Sequence, residues 1–139
     1  MKKPGVVFIC LGNSCRSIMA EALAHHHCGE RVAAASAGLQ PLGWVARETL
    51  QVLAEIGVET SGLRSKGLEE IEFSRYQLAV NLTDYSLEDL LPLTFLGRLL
   101  HRPVLDPYGG SLDDYRQTRD TLQLLITGEI YPAFLSASD

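Results

Sequence analysis

Gly5-Val6-Val7-Phe8-Ile9-Cys10-Leu11-Gly12-Asn13-Ser14-Cys15-Arg16-Ser17 is the stretch that decides the fold. Val6 to Ile9 form a short unbroken apolar run, the pattern of a strand buried on both faces. Ile18-Met19-Ala20-Glu21-Ala22-Leu23-Ala24 follows at once and reads as a helix. Cys10 and Arg16, with five residues between them, therefore lie on a loop from a strand end to a helix start. Unpaired amides and the positive end of the helix dipole point into such a loop and suit it to an anion. The same donors favour a thiolate on Cys10. The planar fork of Arg16 can hold two oxygens of a phosphate. A thiolate beneath a phosphate-shaped cradle points to phosphoryl transfer through a cysteinyl-phosphate, with Cys10 as nucleophile and Arg16 as clamp. Between them, Gly12 allows close backbone approach, Asn13 tolerates left-handed geometry, and Ser17 can hydrogen-bond the sulfur.

Strands and helices alternate along the rest of the chain. Residues 5–10 read as the first strand, 17–28 as a helix, 31–37 as a second strand ended by Gly38, and 45–56 as a helix capped by Gly57. In that second helix Leu50, Leu53, Ala54 and Ile56 carry the apolar spacing. A short helix is expected over 68–73, a third strand over 77–82, a helix over 86–91 cut near Pro92, and a fourth strand over 103–105. A long last helix begins near Ser111, where Asp113 and Asp114 suit the N-terminal turn, and Tyr115, Leu122, Leu125 and Ile126 supply its apolar positions. The order implies an α/β fold with a parallel sheet covered on both faces. Ligands of such sheets bind beyond the C-terminal strand ends. Cys10 and Asp106 can then meet at one rim although they are far apart in sequence.

Asp106-Pro107-Tyr108-Gly109-Gly110 is the second chemical element. Thiolate attack on a phosphate ester needs an acid for the leaving group, and Asp106 on a Gly-rich loop can supply that proton and later deprotonate the attacking water. Tyr108 and Trp44 are candidates to wall a substrate pocket, and Trp44 is equally suited to packing at its helix start.

With 139 residues the chain suits one compact domain, residues 1–139, and 46% hydrophobic content fits a globular protein. No apolar run is long enough for a membrane span, and the short run after Met1-Lys2-Lys3-Pro4 contains the expected nucleophile, so it does not read as a signal peptide. The net charge of −5 argues against general nucleic-acid binding. Cys10, Cys15 and Cys28 form no disulfide framework or zinc pattern and fit a reducing compartment, so a cytoplasmic location is expected. Cys15 reads either as a neutral core residue or as a disulfide partner that protects Cys10, and Cys28 as a structural residue at a helix end. His25-His26-His27 face different directions on a helix, so a solvated helix end is expected there and not a metal site.

Taken together, these elements resemble the low-molecular-weight protein-tyrosine phosphatase family. Its loop pattern C-x-G-N-x-C-R-S is matched by Cys10, Gly12, Asn13, Cys15, Arg16 and Ser17, and its late D-P motif by Asp106-Pro107. Further similarity runs through Met19-Ala20-Glu21-Ala22, Ser36-Ala37-Gly38, Ser65-Lys66 and the last helix. The resemblance implies a three-layer fold: a four-stranded parallel sheet, helices on both faces, and a phosphate-binding loop after the first strand. It implies a cofactor-free and metal-free enzyme with Cys10, Arg16 and Asp106 catalytic. Leu11, Gly12, Asn13, Ser14, Cys15, Ser17 and Tyr108 would bind substrate, with inorganic phosphate or a similar oxyanion fitting the loop. Phosphotyrosine on proteins is the default substrate under that resemblance. Ser14 stands where many relatives carry a bulky aliphatic residue, and Tyr108-Gly109-Gly110 replaces a tyrosine pair. Both features, with Asp106 to Ser111 and Tyr115-Arg116-Gln117-Thr118-Arg119-Asp120, are similar to the bacterial protein-arginine phosphatases, which makes phosphoarginine the alternative substrate. Thiol-coupled arsenate reductases share the fold and first loop but relay electrons through cysteines after the third strand. Asn81 to Pro92 contains none here, so arsenate reduction would require an external thiol.

Overall fold

A computed structural model describes residues 3–137. Strand β1 (Gly5–Cys10) leads into helix α1 (Arg16–Cys28), then β2 (Ala33–Gly38) and α2 (Arg47–Glu55). Two 3-10 turns (Leu68–Glu70 and Phe73–Arg75) precede β3 (Leu78–Asn81) and β4 (Arg98–His101). Helix α3 (Leu112–Leu125) passes through a π turn (Ile126–Ile130) into α4 (Tyr131–Ala137). The four strands form one parallel sheet in the order β2-β1-β3-β4. The expected fold class is therefore observed, with Cys10 as the last residue of an inner strand.

All six residues of β1 are buried, and its alternation divides the core. Val6, Phe8 and Cys10 pack with Leu23 of α1, Leu53 of α2, and Leu122 and Ile126 of the C-terminal helical segment. Val7 and Ile9 pack on the opposite face with Phe73, Ala79 and Leu87. Each fully buried aliphatic or aromatic side chain of this kind contributes about 1.5–3 kcal/mol. The first outer layer is made of full helices. The second is made of the two 3-10 turns and the turn at Leu87, and is thinner for that reason.

Most element positions agree with the sequence within two residues, but four features differ. The fourth strand is Arg98–His101 and not 103–105. Residues 102–104 continue beside β3 through Arg102 N–H to the Asn81 carbonyl at 2.8 Å and Val104 N–H to the Leu82 carbonyl at 3.0 Å. Arg98 and Arg102 donate to Gln77 and Asn81 in step, but Val104 reaches Leu82 where a regular ladder would reach Thr83, so the regular ladder ends before it. The segment 86–91 is a single turn, with Leu90 and Leu91 amides both donating to the Leu87 carbonyl. Pro92 drives Leu91 out of the helical region, and one turn does not offset the cost of helix nucleation. The short helix over 68–73 is split into the two 3-10 turns. In α2 the buried positions are Thr49, Val52 and Leu53, so Leu53 is shared with the expected stripe while Ala54 lies exposed. Gly57 does follow α2 in left-handed geometry, with φ +77°. Ser111 and Asp114 form a reciprocal capping box at the start of α3. No helix among the described residues is long and apolar enough to cross a membrane.

Candidate active site

The loop after β1 is shaped by what donates to its carbonyls. Residues 39–46 run alongside it, and several of their amides donate to its carbonyls. Leu39 bonds the Cys10 carbonyl at 3.0 Å, Gln40 that of Leu11 at 2.8 Å, Leu42 that of Gly12 at 3.0 Å, and Ala46 that of Ser14 at 3.2 Å. The hydroxyls of Ser65 and Thr49 add bonds to the Gly12 and Ser14 carbonyls at 3.2 and 2.9 Å. With the carbonyl dipoles satisfied on the outside, the amides of Gly12, Asn13, Ser14 and Cys15 have no protein acceptor among the described residues. Amides of this kind ahead of a helix N-terminus form an anion cradle. Asn13 makes the tight bend possible by adopting φ +47°. Gly38 lets the loop approach β2, because a Cβ there would stand 2.8 Å from the Leu11 carbonyl oxygen and 2.9 Å from Asn13.

Beneath the cradle lies a chain of polar side chains. The Asn13 amide donates to Ser17 Oγ at 2.7 Å and to Ser36 Oγ at 3.0 Å. Ser17 Oγ stands 2.8 Å from Cys10 Sγ. Since Ser17 accepts from Asn13, its own proton is free to turn to the sulfur, which is the direction a sulfur anion requires. Ser36 donates onward to Glu21 at 2.5 Å. Lys66 Nζ closes the cluster at 3.3 Å from Glu21 and 3.2 Å from Ser36, while its backbone amide holds Asn13 Oδ1 at 2.8 Å. Glu21, Ser36 and Lys66 thus brace the loop from behind.

Arg16 is 7% exposed. Its Nη1 donates to the carbonyls of Leu82 at 3.2 Å and Val104 at 3.1 Å, which fixes the plane of the guanidinium at the mouth of the loop. Its Nη2 faces Asp106 Oδ2 at 3.5 Å. The other oxygen of Asp106 accepts the Tyr108 amide at 3.1 Å, an Asx turn that orients the carboxylate. The Asp106 strap is further tied down by a two-pronged ion pair from Arg102 to Glu129 of the π turn.

A cavity of about 130 Å³ lies between these groups. Cys10, Leu11, Gly12, Ser14, Cys15, Arg16, Asp106 and Tyr108, all singled out in the sequence, line it. Asn13 and Ser17 are fully buried behind it and hold the loop. Gln40 and Leu42 also line it, and sequence reasoning passed over them. The signal was indirect: they follow Gly38, at the strand end next to Cys10. Trp44 is 55% exposed and is not among the lining residues.

The two other cysteines are also buried. Cys15 is buried, and burial pushes its thiol up, against the opposing pull of hydrogen bonds to Tyr115 and Thr49. Its Sγ contacts the Tyr115 hydroxyl at 3.5 Å. Burial also drives that phenol well above its ordinary range. Cys28 donates to the Ala24 carbonyl at 3.1 Å at the end of α1, and burial raises it too. Among the described residues no group of three or more His, Cys, Asp or Glu could hold a metal. His25 and His27 instead bond the Ala34 carbonyl and Gln123 at 3.0 and 2.9 Å. One polar side-chain atom in the site stands alone. Ser14 Oγ is buried with no hydrogen-bond partner.

Comparison with known proteins agrees with this geometry. The family model described as low molecular weight phosphotyrosine protein phosphatase matches residues 5–128. A protein-arginine-phosphatase of Bacillus subtilis (strain 168) is 31% identical, over 87% of this chain and 91% of the relative. A solved structure described as an arsenate reductase in the phosphate binding state superposes with a TM-score of 0.81 at 26% identity, covering 93% of this chain and 98% of that one. The low molecular weight protein tyrosine phosphatase from T. tengcongensis superposes with a TM-score of 0.80 at 28% identity, covering 94% and 99%. Cradle, fold and family model converge: the chain belongs to the low molecular weight phosphotyrosine protein phosphatase family.

Proposed function

We propose that this chain hydrolyses phosphorylated protein side chains through a phosphocysteine on Cys10, and that phosphoarginine is the substrate its pocket fits best. The Cys10 sulfur attacks phosphorus while the bond to the leaving group breaks. Asp106 gives that leaving atom its proton. A water then attacks the phosphocysteine, Asp106 takes a proton from it, and inorganic phosphate and free Cys10 result. The loop amides and Arg16 bind the phosphoryl oxygens throughout and gain most where charge builds up in the transition state.

The observation that carries the substrate assignment is Ser14 in the lining of the cavity, its hydroxyl buried and without a hydrogen-bond partner. A buried hydroxyl without a partner costs about 1–3 kcal/mol, which a bound substrate recovers if it supplies the partner. Once Ser14 turns its side chain into the cavity, a guanidinium presents N–H donors to its Oγ while the Ser14 proton points to a phosphoryl oxygen; an aryl ring offers only the second contact. The Bacillus subtilis relative bears the corresponding name. Phosphotyrosine, the default from the family resemblance, is the second reading, and the apolar walls Leu11, Leu42 and Tyr108 favour it. Arsenate reduction with an external thiol is the third, supported by the likeness to an arsenate reductase. Three free cysteines suit a reducing compartment, and the cytoplasm is the proposed location.

Ser14→Ile is expected to shift the ratio of kcat/KM toward phosphotyrosine, and Ser14→Thr to keep or raise phosphoarginine turnover. A pocket change of this kind is worth about 1–3 kcal/mol, so a ratio change of tens-fold is expected. Phosphotyrosine, phosphoarginine and arsenate are to be compared side by side, with and without added thiol. An unchanged ratio in both variants would move selectivity to Tyr108 and Leu42. Thiol-dependent arsenate turnover without phosphatase activity would replace the phosphatase reading altogether.

The site is also expected to be redox-sensitive. Peroxide converts the Cys10 thiolate to a sulfenic acid, and Cys15 condenses with it, expelling water, to give a disulfide that added thiol reverses. The raised Cys15 thiol and its Tyr115 contact predict a slow second step. Mass mapping after mild peroxide distinguishes this from irreversible sulfinic acid on Cys10 with Cys15 unchanged, the outcome that defeats the idea.

A further inference from the structure

A second, larger cleft of about 420 Å³ adjoins the phosphate pocket. Leu11, Arg16 and Asp106 wall both spaces, so the cleft lies directly beside the reacting site. Its far side is the turn Thr83-Asp84-Tyr85 after β3, and its floor is the strap Pro103 to Leu105. Two of its apolar side chains are held in solvent, Tyr85 at 55% and Leu105 at 90% exposure. Asp84 is exposed and makes no hydrogen bond or ion pair among the described residues. The one cation in the lining is Arg16, whose Nη1 is spent on two carbonyls and whose Nη2 is turned to Asp106. A carboxylate without a counter-charge therefore stands beside exposed apolar surface, one step from the phosphate cradle. A free oxyanion would fill only the smaller pocket.

We propose that this cleft seats the residue adjoining the phosphorylated one in the substrate polypeptide, and that it selects lysine or arginine there. The proposal rests on the protein-phosphatase reading above. A long basic side chain suits the cleft in both parts. Its aliphatic stem lies along Leu105, and its charged head reaches Asp84 and the face of Tyr85. A further cleft on the other side of the strap, lined by Gln117, Thr118 and Thr121, is a poorer match. Its additional carboxylate, Asp114, is spent on the Ser111 amide in the α3 capping box.

The test uses phosphoarginine and phosphotyrosine peptides of one length, with Lys, Ala or Glu on either side of the phosphorylated residue, beside the free phosphoamino acids. For the wild type, kcat/KM is expected to fall in the order Lys, Ala, Glu on one side, by about tenfold from first to last, chiefly through KM. Raising the salt concentration should shrink that preference, because the paired groups are exposed. Asp84→Asn should flatten the order and Asp84→Lys invert it, while turnover of the free phosphoamino acids stays unchanged in both. Indifference of the wild type to the neighbouring residue overturns the proposal, as does a lysine preference that survives Asp84→Lys. Turnover of the free phosphoamino acids in that case leaves the phosphatase reading standing. Failure of every peptide and every free phosphoamino acid to turn over removes both.

Discussion

Cys10→Ser is expected to abolish turnover, by at least about 10⁴-fold, while leaving the fold intact. A serine hydroxyl is a far weaker nucleophile than a thiolate at neutral pH. The replacement is nearly isosteric, and Ser17 Oγ remains 2.8 Å away to bond the new hydroxyl. The oxyanion cradle does not depend on the sulfur, so the variant should still bind phosphate and should trap substrate. Near-wild-type activity in purified Cys10→Ser would end the mechanism. Arg16→Ala should be equally inactive, but it is the less clean experiment. Arg16 holds the Leu82 and Val104 carbonyls together, and its loss leaves the Val104 carbonyl without a donor and the Leu82 carbonyl with only the Val104 amide. Arg16→Lys keeps the charge without the fork, and its activity should fall steeply while the fold is better preserved.

Asp106→Asn is expected to slow substrates with poor leaving groups by about 10²–10⁴-fold, the usual range for loss of a general acid. Activated aryl phosphates should lose much less, since their leaving group departs with little protonation. The geometry makes the variant interpretable. Asparagine Oδ1 can still accept the Tyr108 amide, so the turn that orients the side chain survives. What disappears is the acidic proton and the ion pair to Arg16. Equal losses for good and poor leaving groups would remove Asp106 from the role of acid.

The parts of the fold that were legible in the sequence are those in which local pattern and tertiary demand agree. Val6 to Ile9 are apolar on both faces because β1 lies inside the sheet, and Asn13 marks a left-handed bend that few other residues take. Asp106 could be brought to Cys10 on topology alone, since both follow strand ends of a parallel sheet. The parts that were not legible depend on contacts distant in sequence. Residues 103–105 look like a strand, but the register to β3 slips at Val104 and the regular ladder lies earlier, at Arg98–His101. Gln40 and Leu42 enter the site only because their backbone amides cap the carbonyls of Leu11 and Gly12. The isolation of Ser14 Oγ could not be read from residue type, because serine usually finds a partner nearby; here Ala46 and Thr49 both donate to the Ser14 carbonyl and neither reaches its hydroxyl.

The most direct test of the account is rapid quench of the enzyme during turnover of a phosphorylated substrate, followed by mass mapping of the intact chain and its peptides. Asp106→Asn is the form to use beside wild type, because the loss of the base that activates water should let the intermediate accumulate with an activated substrate. The account predicts one added phosphoryl group, on Cys10, that forms within the first turnover and decays as phosphate is released. Turnover with no phosphorylated enzyme, or with the phosphoryl group on a residue other than Cys10, would contradict it.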